Sequence, residues 1–268
     1  MRARTRIYWQ LLRAGIRRQS TYRLAALGGL VANATFGFLK VAMLFATVRA
    51  AGGTLHGYDV GSMSTYIWLS QGMLGSINLN GRTDFSDRIK SGDIAIDFIR
   101  PISVQGAHVA TEIGRSLWAL VPRGLPSILI GALVIGMSVP TTPLPYVAGL
   151  ASLLLGFAIS ATTVYAAGTA GFWLIETHGI QTLYMVVSGF LAGLFVPIYL
   201  FPHWLLVAAQ LTPFPSMLMY PTDILSGRTG GAGMVGLLGQ QLLWLVLTVL
   251  IGRTLTARGR QRLEVQGG

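Results

Sequence analysis

Ionic and apolar side chains are interleaved in one stretch of this sequence, between Arg82 and Ser103. Its charged residues are Arg82, Asp84, Asp87, Arg88, Lys90, Asp93, Asp97 and Arg100. Its large apolar residues are Phe85, Ile89, Ile94, Ile96, Phe98 and Ile99. Side chains of these two kinds pair with opposite charges and fill apolar clefts on a partner. The stretch is too apolar for a solvated connector, and we interpret it as a docking surface.

Residues with other reactive chemistry are sparse. The sequence has no cysteine, so disulfides and thiol nucleophiles are excluded. It has no GxxxxGK[ST] loop for nucleotide phosphates and no HExxH metal motif. Glu176 and His178 alone are weak support for a metal site or a proton relay. We therefore expect no catalytic residues, no metal site and no cofactor bound by this chain.

The ionisable residues within the apolar segments also limit the possible functions. Lys40 either extends its stem towards a polar zone or faces a cavity, and both interpretations stay open. Glu112 and Arg115 are three residues apart, which allows them to pair on one helix face, and Arg123 follows. A proton- or ion-coupled carrier normally needs buried acids in its spans, and these segments have almost none.

The elements that position these side chains are membrane helices. The chain has 268 residues, of which 52% are hydrophobic and 11% charged, with a mean hydropathy of +0.59. Soluble domains carry about 25% charged residues. We therefore predict an all-α polytopic membrane protein, with residues 1–268 forming a single transmembrane domain. The net charge of +11 arises from helix ends and tails, which does not favour nucleic acid binding.

Six apolar runs predict six transmembrane helices. They are Leu24–Val48, Val60–Asn80, Gly106–Val139, Tyr146–Ile175, Ile180–Phe201 and Met234–Gly252. The third is longer than a span requires, and Pro122 permits a kink in it. The second is the most polar, which is explained either by a transport path or by hydrogen bonding between helices. Gly189 and Gly193 form a GxxxG pair in the fifth, which predicts helix packing.

The segments outside these spans determine the predicted topology. Residues 1–23 alternate arginines with apolar residues at helical spacing, which favours an interfacial amphipathic helix over a basic tail. Residues 202–233 are apolar but interrupted by prolines, which predicts re-entrant extracellular helices between spans five and six. The N-terminal segment, residues 82–103 and the tail 253–268 hold 15 Lys or Arg, whereas the opposite side holds two. The positive-inside rule then makes both termini and the 82–103 loop cytoplasmic.

The sequence resembles the ABC-2 type permeases, the membrane subunits of bacterial ABC exporters. The resemblance rests on the topology and on two short runs in the charged loop, IKSGDI at Ile89–Ile94 and IRPI at Ile99–Ile102. It implies a multi-pass protein of the bacterial cytoplasmic membrane that pairs with a second permease, identical or paralogous. It also implies two separate ATP-binding subunits that carry ATP and Mg²⁺, with the 82–103 loop as the coupling loop.

The resemblance and the residue types together assign candidate site residues. The candidate coupling residues are Asp84, Phe85, Asp87, Arg88, Ile89, Gly92, Asp93, Phe98, Arg100 and Pro101, and we expect Phe85, Ile89 and Phe98 to act as apolar anchors in a cleft of the ATPase. The candidate path residues are Lys40, Gln71, Asn78, Met185, Phe190 and Phe195. Such a path suits an amphipathic organic molecule, drug, peptide or lipid-like substrate. A secondary carrier and a membrane-embedded enzyme or assembly factor remain the alternatives.

Overall fold

A computed structural model describes residues 2–174 and 176–262, and this part of the chain is helical without any β-strand. Its one extended pairing is a single bridge between Leu55 and Tyr58. Met1, the predicted end of span four at Ile175, and residues 263–268 of the predicted tail lie outside the described residues. The predicted all-α fold is confirmed.

Thirteen α-helices are described. They are α1 Arg2–Ser20, α2 Arg23–Ala50, α3 Val60–Leu74, α4 Asp84–Lys90, α5 Ile94–Ile99, α6 Val104–Ala119, α7 Leu125–Ile130, α8 Leu144–Gly168, α9 His178–Leu191, α10 His203–Gln210, α11 Phe214–Met217, α12 Met219–Leu225 and α13 Gly231–Arg260. Two π-helical turns, Leu120–Gly124 and Gly131–Ile135, join α6 to α7 and extend α7. Two 3-10 turns, Thr169–Phe172 and Ile198–Leu200, complete the set.

Four of the described helical segments are long and apolar enough to cross a membrane. They are Leu24–Ala50, Val104–Ile135, Leu144–Phe172 and Gly231–Arg260. The third is the central helix, since 61% of its most apolar window is buried against 17–22% for the other three. The other three therefore leave most of their apolar surface uncovered within this chain, as expected for helices that face lipid or another subunit.

The other two predicted spans are shorter as helices than the sequence suggested. Helix α3 has 15 residues and α9 has 14, so each rises only about 22 Å, less than the roughly 30 Å hydrocarbon core. Both predicted ends, at Asn80 and Phe201, are wrong, because the helices stop at Leu74 and Leu191. The GxxxG interpretation is also wrong, since Gly193 lies outside α9 with φ +76°. The count of six spans stays a prediction.

The third predicted span is one continuous helical rod from α6 to the second π-helical turn. Pro122 lies in the first π-helical turn, where its missing N–H would otherwise break the α-helical hydrogen bonds. Glycine lets this turn approach α3 closely: a Cβ atom added to Gly124 would lie 2.6 Å from the Gly72 carbonyl oxygen. The rod thus packs closely against α3 at this turn, and a kink at Pro122 stays a prediction.

Helix α1 packs along the first half of this rod. Most of its large apolar residues are half-buried, with Trp9 exposed, while its arginines at positions 13, 17 and 18 are exposed, which confirms an amphipathic helix. The two backbones touch through reciprocal glycines. A Cβ atom at Gly15 would fall on the Thr111 carbonyl, and one at Gly114 would fall on the Leu12 carbonyl. A position for α1 in the headgroup layer stays a prediction.

The molecule therefore has two distinct ends. The basic end is formed by α1, α4, α5, the start of α6 and the end of α13, where Arg253–Arg260 continues the last helix beyond the predicted span end at Gly252. The opposite end is formed by residues 51–59, 136–143 and 226–230. The predicted broken segment 202–233 contains the short helices α10, α11 and α12, and its placement as a re-entrant extracellular element stays a prediction.

One arginine connects two parts of the opposite end. The guanidinium of Arg228 lies 3.6 Å from the centroid of the Tyr58 ring and donates to the carbonyls of His56 and Gly57 at 3.0 and 3.2 Å. Residues 54–59 are thereby held against the segment that follows α12. Gly52 and Gly53 precede this contact, are exposed, and adopt φ of +84° and +97°.

Candidate docking surface and polar interior

Local sequence explains the two short helices in the charged loop. The Thr83 hydroxyl caps α4 by accepting from the Phe85 N–H at 3.2 Å. Asp84 and Asp87 lie near its positive end and Lys90 near its negative end, which the helix dipole favours. Gly92, with φ +81°, then reverses the chain into α5, as only glycine does without strain.

Helix α4 is anchored inside the chain by its apolar face. Phe85 is only 4% exposed, and its ring centroid lies 4.4 Å from that of Tyr165 and 6.1 Å from that of Phe172. Ile89 and Ile94 are buried in the same cluster. The expectation that Phe85 and Ile89 are anchors in a partner cleft is therefore not met in this structure. They fix α4 to the end of α8 instead.

The apolar residues that α5 leaves free are different ones. Ile96 is 54% and Ile99 is 84% exposed, and neither was among the predicted site residues. Phe98 is half-buried, with its ring stacked on Phe172 at 6.4 Å and the Arg260 guanidinium over it at 5.2 Å. A six-residue helix is too short for its hydrophobic period to reveal which isoleucines point outward.

Ion pairs hold α4 and α5 together. The Arg88 Nε donates to Asp97 at 2.7 Å, and Arg100 reaches the other carboxylate oxygen at 3.2 Å. Arg88 also donates to the Asp93 carbonyl at 3.3 Å. The hydrogen bond from Asp97 raises the pKa of Arg88, so the guanidinium stays charged. Asp97 was missing from the predicted set, yet it joins two residues of that set.

Two further ion pairs connect α4 to neighbouring elements. Arg18 of α1 pairs with Asp84, and this hydrogen bond raises the pKa of Arg18. Lys90 pairs with Glu176 in the loop before α9, and Lys90 lowers the pKa of that carboxyl. Glu176 therefore has a partner that explains its position without a proton relay.

The remaining predicted coupling residues are on the outside of this assembly. The exposed ones are Asp84, Asp87, Gly92, Asp93, Arg100 and Pro101. Together with Ile96 and Ile99 they form a surface on α4 and α5, which we call the docking surface. Its composition, two exposed isoleucines within a mixed-charge rim, matches the anatomy of protein interfaces.

The six predicted path residues are not brought together. Gln71 is buried in α3, where its main-chain carbonyl accepts from the Asn33 amide at 3.0 Å, while its side-chain oxygen has no hydrogen-bond partner among the described residues. The Lys40 ammonium donates to the Leu194 carbonyl just after α9. Asn78 lies after α3 and donates to the Arg82 carbonyl at 2.9 Å. Met185, Phe190 and Phe195 are exposed, with Phe190 stacked on Phe201. Their role in a path stays a prediction.

The polar side chains of α3 bond to other parts of the same chain. Ser64 donates to the Gly136 carbonyl at 2.6 Å and Thr65 to the Ser138 carbonyl at 2.8 Å. Tyr66 donates to the Gly193 carbonyl. Of the two explanations left open by the sequence, these contacts support hydrogen bonding between elements.

Sequence reasoning missed one buried acid. Asp223 of α12 is buried and accepts from the Tyr199 hydroxyl at 2.8 Å. The expected pairing of Glu112 with Arg115 is confirmed at 2.8 Å. Over residues 2–174 and 176–262, no three His, Cys, Asp or Glu side chains are placed to hold a metal ion.

The fold and these surfaces define the class of protein, a multi-pass helical membrane protein. A model of the family described as ABC-2 family transporter protein matches residues 32–267, and the chain belongs to that family. It is thus a membrane subunit of an ABC permease, a kind of subunit that works with an ABC ATP-binding partner. Comparison with curated proteins and with solved structures finds no match.

Proposed function

We propose that this chain is the membrane-spanning half of an ATP-driven exporter. Two permease chains, identical or paralogous, pair with two ATP-binding subunits that hold ATP and Mg²⁺. The chain crosses the bacterial cytoplasmic membrane six times, with both termini and the docking surface in the cytoplasm. The observation that carries this proposal is the pair of exposed isoleucines, Ile96 and Ile99, on a helix fixed to the membrane domain.

The contacts around α4 explain how force would pass from the docking surface to the membrane helices. A partner that moves α5 moves α4 with it, because Arg88 and Arg100 both bind Asp97. Helix α4 is seated on the end of α8, the central helix, through Phe85 and Tyr165. It is also tied to α1 through Arg18. Closure of the ATPase dimer therefore acts on the core of the permease.

The cargo fits the uncovered apolar surface better than the interior. Ser64, Thr65 and Tyr66 of α3 are hydrogen-bonded within the chain, whereas Met185, Phe190 and Phe195 are exposed. We place the path between two copies of the chain, along the face that carries these three residues. That face suits an amphipathic organic molecule, drug, peptide or lipid-like compound.

Co-purification tests this proposal. The tagged chain is expressed with the ATP-binding subunit encoded beside it, and ATPase activity is measured in lipid. We expect Ile96→Asp combined with Ile99→Asp to abolish capture of the ATPase, because two apolar contacts become charged. A control with a new aspartate on an apolar span, such as Val235→Asp, is unsuitable because the charge would itself disturb the membrane helix. Arg258→Gln, on an exposed face of α13, is the matched control and is expected to retain capture.

The outcome separates the candidate functions. Loss of capture only in the isoleucine variant supports the permease with this docking surface. Undiminished capture by that variant would rule out this surface as the docking site. A chain that never binds an ATPase would favour a carrier or a membrane-embedded enzyme.

A further inference from the structure

A second charged site lies between α1, the rod of α6 and α7, and the non-helical residues 75–83. It is a cavity of about 710 Å³, within the size range of ligand sites. Four arginines line it, Arg18, Arg82, Arg115 and Arg123. None of these arginines belongs to the docking surface, although Asp84 and Asp87 line the cavity as well as that surface.

The acids in the cavity do not neutralise these arginines. Arg18 is paired with Asp84 and Arg115 with Glu112. Asp87 is the one further acid of the lining. Two arginines, at positions 82 and 123, thus face a single uncommitted carboxylate, and the cavity keeps an excess positive charge.

Arg123 is the half-buried arginine of the four that has no ionic partner among the described residues. No carboxylate of the described residues is within ion-pair distance of it. Its Nε is buried without a hydrogen-bond partner, and one terminal nitrogen reaches only the Asn33 amide oxygen at 3.4 Å. Glycines at positions 29 and 75 leave room for it, since a Cβ atom at either would crowd the guanidinium. The site is therefore shaped around this side chain.

The level of Arg123 makes an unpaired charge costly. About 18 Å of the rod separates it from the end at Ile135, so a hydrocarbon core of roughly 30 Å that starts at that end would include this level. An unpaired arginine at that level is unfavourable, because a charge in hydrocarbon loses its hydration. An anion supplied from outside the chain removes this cost and completes the vacant hydrogen bond at Nε.

We propose that this cavity binds a phosphate-bearing anion, held by Arg123 and Arg82, and that the anion is the headgroup of an acidic membrane lipid. The position of the rim favours a lipid over a free ion. Tyr22 lines the cavity and immediately precedes the first candidate span, which begins at Leu24. Leu74 and Ile77 add apolar walls that suit the glycerol region of a lipid. This inference is independent of the proposed coupling role.

Native mass spectrometry of the full chain without the ATPase tests the site. The probes are short-chain phosphatidylglycerol, phosphatidylcholine with the same chains, and sodium phosphate. We expect one phosphatidylglycerol to be retained about tenfold more tightly than phosphatidylcholine. Arg123→Gln should weaken its binding about tenfold, and Arg82→Gln should weaken it less, because Arg82 is exposed.

Two controls keep the result interpretable. Arg258→Gln removes an exposed arginine outside the cavity and should leave lipid binding unchanged. Arg123→Lys retains the charge if the glutamine variant does not fold, and should retain part of the preference. Displacement of phosphatidylglycerol by sodium phosphate, dependent on Arg123, would support the anion site and identify free phosphate as its ligand. Equal retention of both lipids, or equal weakening by Arg258→Gln, would overturn the proposal.

Discussion

At the scale of the residue, the apolar side chains of the charged loop divide into two sets with different tasks. Phe85, Ile89 and Ile94 point into the protein and hold the loop in place. Ile96 and Ile99 point outward and are free to contact another protein. A residue of the first set is therefore expected to affect the stability of the permease itself, and one of the second set its association.

Phe85→Ala should destabilise the basic end of the molecule. Truncation of a buried phenylalanine costs about 3–5 kcal/mol because the contacts with Tyr165 and Phe172 are replaced by a cavity. We expect a lower thermal unfolding midpoint and faster hydrogen exchange in α4. Ile99→Ala is the comparison, since its exposed side chain has no such contacts. Equal midpoints for the two variants would contradict this division of the loop.

The sequence predicted that the apolar residues of this loop make packing contacts. It did not predict which of them face the protein interior and which face outward. The Thr83 cap and the reversal at Gly92 are local signals, and the structure has both. Helices α4 and α5 span seven and six residues, less than two turns each, so no periodicity distinguishes Ile89 from Ile96. That distinction depends on Tyr165 and Phe172, which are distant in the sequence.

At the scale of the element, the contact between α1 and α6 depends on two glycines. Each glycine faces a backbone carbonyl of the other helix, so neither position has space for a methyl group. The helices contact each other through main-chain atoms. A clash there cannot be relieved by the movement of a flexible side chain. An amphipathic helix at a membrane surface is usually held by lipid, whereas α1 is also held by protein.

Gly114→Ala should separate α1 from α6. Overpacking of this kind costs about 1–3 kcal/mol because backbone atoms must shift. We expect a lower unfolding midpoint for the purified chain and increased protease cleavage within α1. Gly28→Ala, at a helical glycine with no atom within 4 Å of the added Cβ, is the matched control and should unfold like the wild type. An undisturbed midpoint for Gly114→Ala would mean that the close approach is not maintained in solution.

Element boundaries were predictable where a local signal exists and wrong where it does not. Pro122 marks the change from α-helix to the π-helical turn in the long rod. The end of α9 has no such mark in hydropathy, because Leu194–Tyr199 stays apolar after the chain has turned at Gly193. The turn is stabilised by the Tyr66 hydroxyl and the Lys40 ammonium, which bind the carbonyls of Gly193 and Leu194. Neither partner is near in sequence.

At the scale of the whole molecule, the basic side chains collect at one end. Arginines of α1, of the docking surface and of the last turns of α13 all lie there, although they are far apart in the sequence. The rod from Val104 to Ile135 measures about 48 Å, so it extends beyond a bilayer of roughly 30 Å. We therefore expect the basic end to protrude from the membrane, as the charge asymmetry also predicts.

Single-cysteine labelling should give opposite results at the two ends. The chain has no cysteine of its own, so Ser91→Cys and Thr141→Cys each provide one exposed thiol. An impermeant maleimide should label position 141 in spheroplasts and position 91 only in inverted vesicles, because the positive-inside rule places the basic end in the cytoplasm. The reverse pattern would refute the proposed orientation.

Hydropathy predicted the class of protein, and the distribution of charge along the sequence predicted the orientation. They did not predict the packing of residues 202–233, which depends on long-range contacts. Asp223 is an example of this limit. An acid that closely follows a proline is typical of a loop, yet Asp223 is buried and accepts a hydrogen bond from the Tyr199 hydroxyl. The partner hydroxyl is what makes that burial tolerable.

The contact of Arg228 with residues 54–59 has a practical consequence for anyone who wishes to mark this protein. An epitope inserted between Gly52 and Gly53 would project from exposed backbone ahead of the contact. The same insertion after Tyr58 would pull the ring from the guanidinium and disrupt the Asp59 cap of α3. The short glycine turn is thus the natural place for a tag or an antibody epitope.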